Sequence, residues 1–243
     1  RAPALALALA LALAAPAGAA PGSALAQTVD APPSATPLVH AFAGVGYTAG
    51  EARDGFWLGE VVTRVDVPLG ARWGFLGEAV AEPRVDGLEL SLDRLAVRYR
   101  LTDDVVLTAG RFRTAIGYAN TAYDRAGWSR PSIAPPAMLS PGGGLLPTRS
   151  VGLRATGPLR VEPLEPLRLG WTFALSNGRE SEISLPGDAG TVAGGVAATF
   201  ALEARPIALG GARIGASYYR HRPSDRTGSD VTERVVAGHI VWG

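Results

Sequence analysis

One segment, from Leu92 to Thr114, alternates arginine-rich and apolar positions with a period of two. The first arm alternates Arg94, Ala96, Arg98 and Arg100 with Leu95, Val97, Tyr99 and Leu101. The second arm alternates Leu107, Ala109, Arg111 and Arg113 with Val106, Thr108, Gly110 and Phe112. Because successive side chains of a strand point to opposite faces, this pattern predicts a β-hairpin with one arginine-rich face.

A two-residue turn at Asp103-Asp104 would set the register of this hairpin. It would pair Arg94 with Arg113, Ala96 with Arg111, Arg98 with Ala109, and Arg100 with Leu107. Like charges then lie side by side, which is destabilising unless water or anions separate them. Each arm runs about nine residues, the length that a tilted strand needs to cross a bilayer. We therefore expect the arginine face to line water and the apolar face to contact lipid.

The N-terminal residues are typical of an export signal. Ala2 to Ala15 is an Ala/Leu run, and Ala24-Leu25-Ala26 has the form of a signal-peptidase site. A buried or membrane helix is the alternative, but three prolines argue against it. We expect a signal peptide at 1–26, a flexible leader at 27–37 and the β-domain at 38–243. Because the chain starts on Arg1 and ends on Trp242-Gly243, we expect a fragment that lacks its true start and is incomplete at the C-terminus.

Composition excludes several classes of function. The chain has no cysteine, which excludes disulfides and thiolate metal sites. All 23 basic residues are arginine, but the formal net charge is only +1, so nucleic acid is not an expected partner. After the signal, no run of about eighteen apolar residues remains. If the protein enters a membrane, it does so with strands.

Ten segments of the chain have strand-like alternation. They are 38–48, 56–67, 72–82, 92–102, 105–116, 148–157, 167–176, 192–204, 207–220 and 233–242. The connections alternate between short turns and longer loops, as in outer-membrane barrels with short periplasmic turns. Greek-key crossings of a soluble sandwich could imitate part of this pattern. The fold class that we expect is an all-β, antiparallel transmembrane barrel of about ten strands, forming part of a larger barrel.

The longest connection, 117–147, is the candidate constriction. Long loops in compact proteins are usually functional or disordered. This one either folds inward and narrows a passage or stays in solvent. Its candidate constriction residues are Tyr123, Asp124, Arg125, Trp128 and Arg130.

Four stretches resemble the phosphate-selective porin family and related Gram-negative porins. They are 95–101 (LAVRYRL), 107–117 (LTAGRFRTAIG), 148–154 (TRSVGLR) and 173–178 (FALSNG). The resemblance implies water-filled, trimeric channels of sixteen strands in the outer membrane, reached by export through the periplasm. This chain is too short for sixteen strands. The family's phosphate specificity is associated with lysine, which is absent here, so that specificity does not carry over.

The sequence thus predicts an outer-membrane porin for passive diffusion of small hydrophilic solutes or ions, with a preference for anions. The expected pore-lining residues are Arg64, Arg94, Arg98, Arg100, Arg111, Arg113, Glu60, Asp66 and Glu78. The arginines either bias the ions or pair with the carboxylates and stiffen the wall. Expected partners are outer-membrane lipid, the solutes and, by resemblance, two further copies in a homotrimer.

Two other functions stay open: a non-conducting barrel that acts as an anchor or adhesin, and a secreted soluble β-sandwich. Catalysis is not expected, because the chain has only three histidines and lacks the GxSxG motif. The sequence contains no metal-ligand spacing and implies no cofactor.

Overall fold

The ten alternating segments correspond, in order, to ten strands of one sheet. The computed structural model describes residues 36–48, 55–84, 87–122, 146–178, 195–222 and 232–242. The strands are β1 (Leu38–Thr48), β2 (Gly55–Pro68), β3 (Trp73–Arg84), β4 (Gly87–Arg100), β5 (Val106–Arg113), β6 (Arg149–Leu159), β7 (Leu169–Asn177), β8 (Val196–Ala204), β9 (Arg213–His221) and β10 (Glu233–Val241). Each pairs antiparallel with the next, in the order β1 to β10. The all-β antiparallel prediction is therefore confirmed.

Two strand boundaries differ from the prediction by five residues or more. β4 begins at Gly87, so its connection to β3 is 85–86 and not the long loop expected. β9 begins at Arg213, because Ile207–Leu209 forms a short 3-10 helix where the sequence predicted strand. β1 and β10 are the edges of the sheet, and no pairing joins them among the described residues. The expected signal peptide at 1–26 lies outside the described residues.

The predicted register of the β4–β5 hairpin is wrong by one residue. Its connection is 101–105, where the Thr102 hydroxyl accepts hydrogen bonds from the backbone N–H groups of Asp104 at 3.3 Å and Val105 at 3.0 Å. As a result Ala96 pairs with Gly110, and Arg98 pairs with Thr108. A one-residue shift moves each side chain of a strand to the other face.

The shift decides which residues of β5 are exposed. The sequence predicted that Phe112 would lie on the exposed apolar face. Instead Leu107 and Ala109 are exposed, whereas Phe112 is only 2% exposed. Arg111 pairs with Leu95 and Val151, and not with Ala96 as predicted.

A β-bulge in β4 reverses its alternation. The pairing with β3 shifts between Glu78 and Ala79, which leaves Asp93 as the extra residue. Before the bulge the exposed apolar residues are Leu88, Leu90 and Leu92, and after it they are Leu95 and Val97. A bulge bends the strand and increases its twist. Here two consecutive residues at the bulge, Asp93 and Arg94, are both buried.

The two faces of the sheet have an unusual distribution of polarity. One face, which we call the outer face, exposes large apolar side chains, among them Leu90, Leu95, Leu153, Leu175, Phe173, Phe200, Val236 and Ile240. The other, the inner face, buries charged and hydroxyl side chains, among them Glu78, Arg94, Arg98, Thr108, Arg154, Thr156, Thr199 and Ser217. Soluble proteins show the opposite arrangement, since buried charges are costly unless they are paired.

The apolar core on the inner face is small. Val62 and Val80 form one cluster with Phe42 packed against it. Ile116, Ala197 and Tyr219 form a second, which is covered by further apolar residues of β10 and of the chain before β6. Most of the inner face is therefore polar.

Connections of different length lie at the two ends of the strands. At one end, here the turn end, they are 69–72, 101–105, 160–168 and 205–212. At the other, the loop end, they are 49–54, 85–86, 114–148, 178–195 and 222–232. Apart from the first two, the loop-end connections are longer than those of the turn end. Among the described residues, no helix has the length and apolar character needed to cross a membrane.

Candidate functional site

A strip of buried ion pairs crosses the inner face from β2 to β6. Its members, which we call the ion-pair strip, are Asp66, Glu78, Asp93, Arg94, Arg98, Arg113 and Arg149. Glu78 forms ion pairs with Arg94 (Nε to Oε2, 3.6 Å) and with Arg113 (Nη2 to Oε1, 3.8 Å). Asp93 forms ion pairs with Arg113 (Nη2 to Oδ2, 3.5 Å) and with Arg149 (Nη2 to Oδ1, 2.9 Å). Charges of opposite sign thus alternate along the strip.

Several of these pairs skip a strand. Arg98 of β4 reaches Asp66 of β2 across β3. The residue of β3 that pairs with Arg98 is Gly74, which has no side chain to block its path. Neighbouring strands lie about 4.8 Å apart, so a contact across an intervening strand needs a long arginine side chain. The strip therefore ties non-adjacent strands together.

The strip is nearly closed to solvent. The side chains of Glu78 and Asp93 are both 1% exposed, and that of Arg94 is 3% exposed. At such burial each charge depends on its partners, because desolvation of an isolated ion costs several kcal/mol. Four arginines face three carboxylates, which leaves a formal excess of one positive charge.

After β5 the chain crosses the inner side of the sheet. We call residues 114–122 the crossing segment; it ends in the helix α1 (Gly117–Ala122). At its start, the Thr114 and Ser150 hydroxyls are 2.7 Å apart. The Asn120 side-chain amide donates hydrogen bonds to the carbonyl oxygens of Thr114 at 2.7 Å and Thr148 at 3.0 Å. These bonds fix the segment to the β5–β6 side.

Other contacts fix the crossing segment to β9 and β10, at the far end of the strand order. The backbone N–H of Gly117 donates to the Ser217 hydroxyl of β9 at 3.1 Å. The Tyr118 ring lies 5.3 Å from the His239 ring, and the Arg213 guanidinium lies 5.9 Å from the Tyr118 ring. The crossing segment therefore spans the interior between two walls that are not neighbours in the sheet.

A cavity of about 420 Å³ lies beside the crossing segment on its turn-end side. Its lining includes Ala115, Gly117, Tyr118 and Thr121 from the crossing segment, Asp103, Asp104, Pro158, Arg168 and Arg205 from the turn end, and Arg154, Thr156, Thr172, Glu203, Arg213, Ser217 and His239 from the strands. The Arg154 guanidinium is 4.9 Å from the Phe112 ring centroid. The cavity can hold water or small polar solutes, because charged and hydroxyl groups line part of its walls beside the apolar ones.

Two buried hydroxyls of the inner face lack partners in the described part of the protein. Among the described residues, Ser176 Oγ and Thr199 Oγ1 have no hydrogen-bond partner in the protein. A buried polar group without a partner costs about 1–3 kcal/mol, and ordered water usually satisfies it. Both residues belong to the inner face of β7 and β8.

The structure brings together five of the predicted pore-lining residues, Arg94, Arg98, Arg113, Asp66 and Glu78, in the ion-pair strip. Three others, Glu60, Arg64 and Arg100, are half-buried. Arg111 is also half-buried, but the register places it beside outer-face residues. The candidate constriction residues Tyr123, Asp124, Arg125, Trp128 and Arg130 lie outside the described residues. Of the loop 117–147, the described part begins inward, as α1.

Sequence reasoning missed Asp93 and Arg149 of the strip, and Arg154 of the cavity wall. Asp93 had a signal: the apolar alternation slips by one residue between Leu92 and Leu95, which indicates a bulge. Arg154 lies in a segment whose alternation predicts a strand, but that pattern alone does not show which face of the strand Arg154 occupies. In the part of the chain that the structure describes, no group of histidine, aspartate and glutamate side chains has the arrangement of a metal site.

Comparison with models of protein families and with curated protein sequences finds no match to this chain. The sheet, the ion-pair strip and the cavity therefore carry the functional argument.

Proposed function

We propose that this chain is a β-barrel protein of the bacterial outer membrane and that it forms a narrow channel for small hydrophilic solutes. The observation that carries the proposal is the distribution of polarity between the two faces. Leu95, Leu153 and Ile240 are 45%, 64% and 76% exposed, whereas Arg94 and Arg98 are each 2% exposed. Hydrocarbon around the outer face would remove this apolar surface from water, and an enclosed polar interior would accommodate the charges.

Aromatic side chains at both ends of the strands support a membrane location. Trp73 and Trp242 are exposed at the turn end, and Tyr47 and Phe56 are exposed at the loop end. The amphipathic rings of tryptophan and tyrosine favour the boundary between lipid and water, and outer-membrane barrels carry them in two girdles. The exposed apolar residues lie between these two sets.

The single sheet argues against a soluble sandwich. A sandwich would cover the outer face with a second sheet. The described strands all belong to one sheet, and its outer apolar residues are exposed. Membrane insertion requires that β1 and β10 do not leave open edges in hydrocarbon, because unpaired backbone groups cost several kcal/mol there. We expect these edges to pair with each other or with further strands.

The cavity beside the crossing segment is the proposed route for solutes. The ion-pair strip is too buried to offer an open path along β2–β6, which leaves the β6–β10 side. Here Arg154 and Arg213 face Glu203 and Asp104. Because charges of both signs line this route, we expect only a weak preference for anions.

Conductance across a planar lipid bilayer tests the proposal. Purified protein should give small, stepwise currents in potassium chloride. In a salt gradient, the reversal potential should indicate weak anion preference, and Arg154→Glu with Arg213→Glu should shift it towards cations. A membrane-inserted protein that never conducts would contradict the channel.

A non-conducting barrel is the second candidate, and one observation favours it. The side chains of the buried strip and the crossing segment both occupy the inner face. A barrel filled by such side chains would serve as an anchor for its loops. The same bilayer experiment separates the two functions, because the anchor predicts insertion without stepwise current.

A further inference from the structure

We infer that Arg220 and Arg234 form a binding site for the phosphate of an anionic lipid headgroup, on the outer face at the loop end. This inference rests on the proposed membrane location. It concerns a surface that is separate from the cavity and the ion-pair strip, both of which belong to the inner face.

The two arginines are direct cross-strand partners. Arg220 is near the end of β9, Arg234 is near the start of β10, and the ladder pairs them. Both are exposed. Side chains that face each other in this way have Cβ atoms about 4.5–5.5 Å apart, and like charges at this spacing are destabilising. A bound anion between the guanidiniums would turn this repulsion into attraction.

The protein itself supplies no counter-charge to the pair in the described ranges. The neighbouring carboxylate, Glu233, lies on the inner side, where its Oε2 is 3.7 Å from Nδ1 of the buried His221. No ion pair or hydrogen bond of the Arg220 or Arg234 side chain occurs within those ranges. This contrasts with Arg160 and Arg205 of the turn end, which pair with carboxylates at 2.5 Å and 2.6 Å.

The surroundings identify the anion as a lipid. On the same face, Tyr218 is 40% exposed and Val236 is 79% exposed, and these two residues are also cross-strand partners. The arginine pair therefore lies at the border between the apolar surface and the loop end. Guanidinium groups match phosphate oxygens in geometry and charge, and the apolar pair below would contact acyl chains. A free inorganic anion has no apolar part that would contact Val236 and Tyr218.

A lipid titration followed by native mass spectrometry tests the inference. The full chain, folded in detergent, would be titrated with dioleoyl phosphatidic acid and with dioleoylglycerol, which has the same acyl chains and no phosphate. We expect phosphatidic acid to bind more tightly by about tenfold or more, since two charge-assisted contacts are added. The variant Arg220→Gln with Arg234→Gln should lose this difference.

A control variant removes the same charge elsewhere. Arg72→Gln with Arg160→Gln changes two exposed arginines of the turn end and should keep the tenfold preference. Equal binding of both lipids, or an unchanged preference in the Arg220/Arg234 variant, would overturn the inference. Full displacement of phosphatidic acid by millimolar inorganic phosphate would also overturn it, because the site would then be one for free anions.

Insertion into vesicles, measured in parallel, separates this failure from failure of the proposed function. A wild-type chain that inserts but shows no phosphate dependence contradicts the lipid site alone. A chain that does not insert contradicts the proposed function and, with it, the lipid site.

Discussion

Replacing Asp93 with asparagine tests whether the buried charges of the inner face act together. The Asp93 side chain is 1% exposed, and its two oxygens lie 2.9 Å from Arg149 and 3.5 Å from Arg113. The asparagine keeps the shape but removes the charge, which leaves two buried guanidiniums facing a neutral group. Removing one partner of a buried ion pair costs about 3–5 kcal/mol, so we expect a loss of unfolding free energy in this range.

A matched control separates burial from distance. Asp104 and Arg160 are closer, at 2.5 Å, but their side chains are 41% and 71% exposed. Asp104→Asn should therefore cost about 0–1 kcal/mol, as exposed pairs do.

The free energies would be measured by urea titration of the folded protein in detergent micelles, followed by circular dichroism. A further change, Arg149→Gln in the Asp93→Asn background, removes one of the two unbalanced charges and should recover part of the loss. If Asp93→Asn costs no more than Asp104→Asn, burial of the strip does not determine its energetics, and the reasoning is wrong.

Two further variants, each with a control, test the backbone of β5 and the cavity beside the crossing segment. Gly110 has φ of +127°, and a Cβ there would lie 2.2 Å from the carbonyl oxygen of Leu95, so Gly110→Ala should cost about 1–3 kcal/mol or more in the same titration. Gly238→Ala, whose Cβ would have its nearest neighbour at 3.8 Å, should change stability little. Tyr118→Ala should raise the single-channel conductance by opening the cavity, whereas Tyr47→Ala, at an exposed outer position, should leave it unchanged.

The number and order of strands follow from the sequence, because period-two alternation reports a surface with two different environments. The same alternation contains the bulge of β4, since the apolar phase changes between Leu92 and Leu95. The register of β5 does not follow from it. That register depends on the Thr102 hydroxyl, which accepts hydrogen bonds from the backbone N–H groups of Asp104 and Val105. The connection is therefore longer than Asp103-Asp104 alone.

The inner face is harder to predict because its contacts join distant parts of the chain. Gly117 and Ser217 are a hundred residues apart in sequence yet hydrogen-bonded. Arg98 and Asp66 lie on strands that are not neighbours, so rules for pairs on adjacent strands do not predict their contact. Alternation identifies which residues share a face, whereas the curvature of the sheet decides which of them meet.

Spin labels on single cysteines test the central claim most directly, and the chain has no native cysteine to interfere. In lipid vesicles, labels at the outer positions Leu95 and Leu153 should collide with dissolved oxygen more often than with a water-soluble nickel chelate. Labels at Thr172 and Ala201, which line the cavity, should show the reverse preference. Outer labels that favour the nickel chelate would show that the exposed apolar face meets water, which would contradict the account.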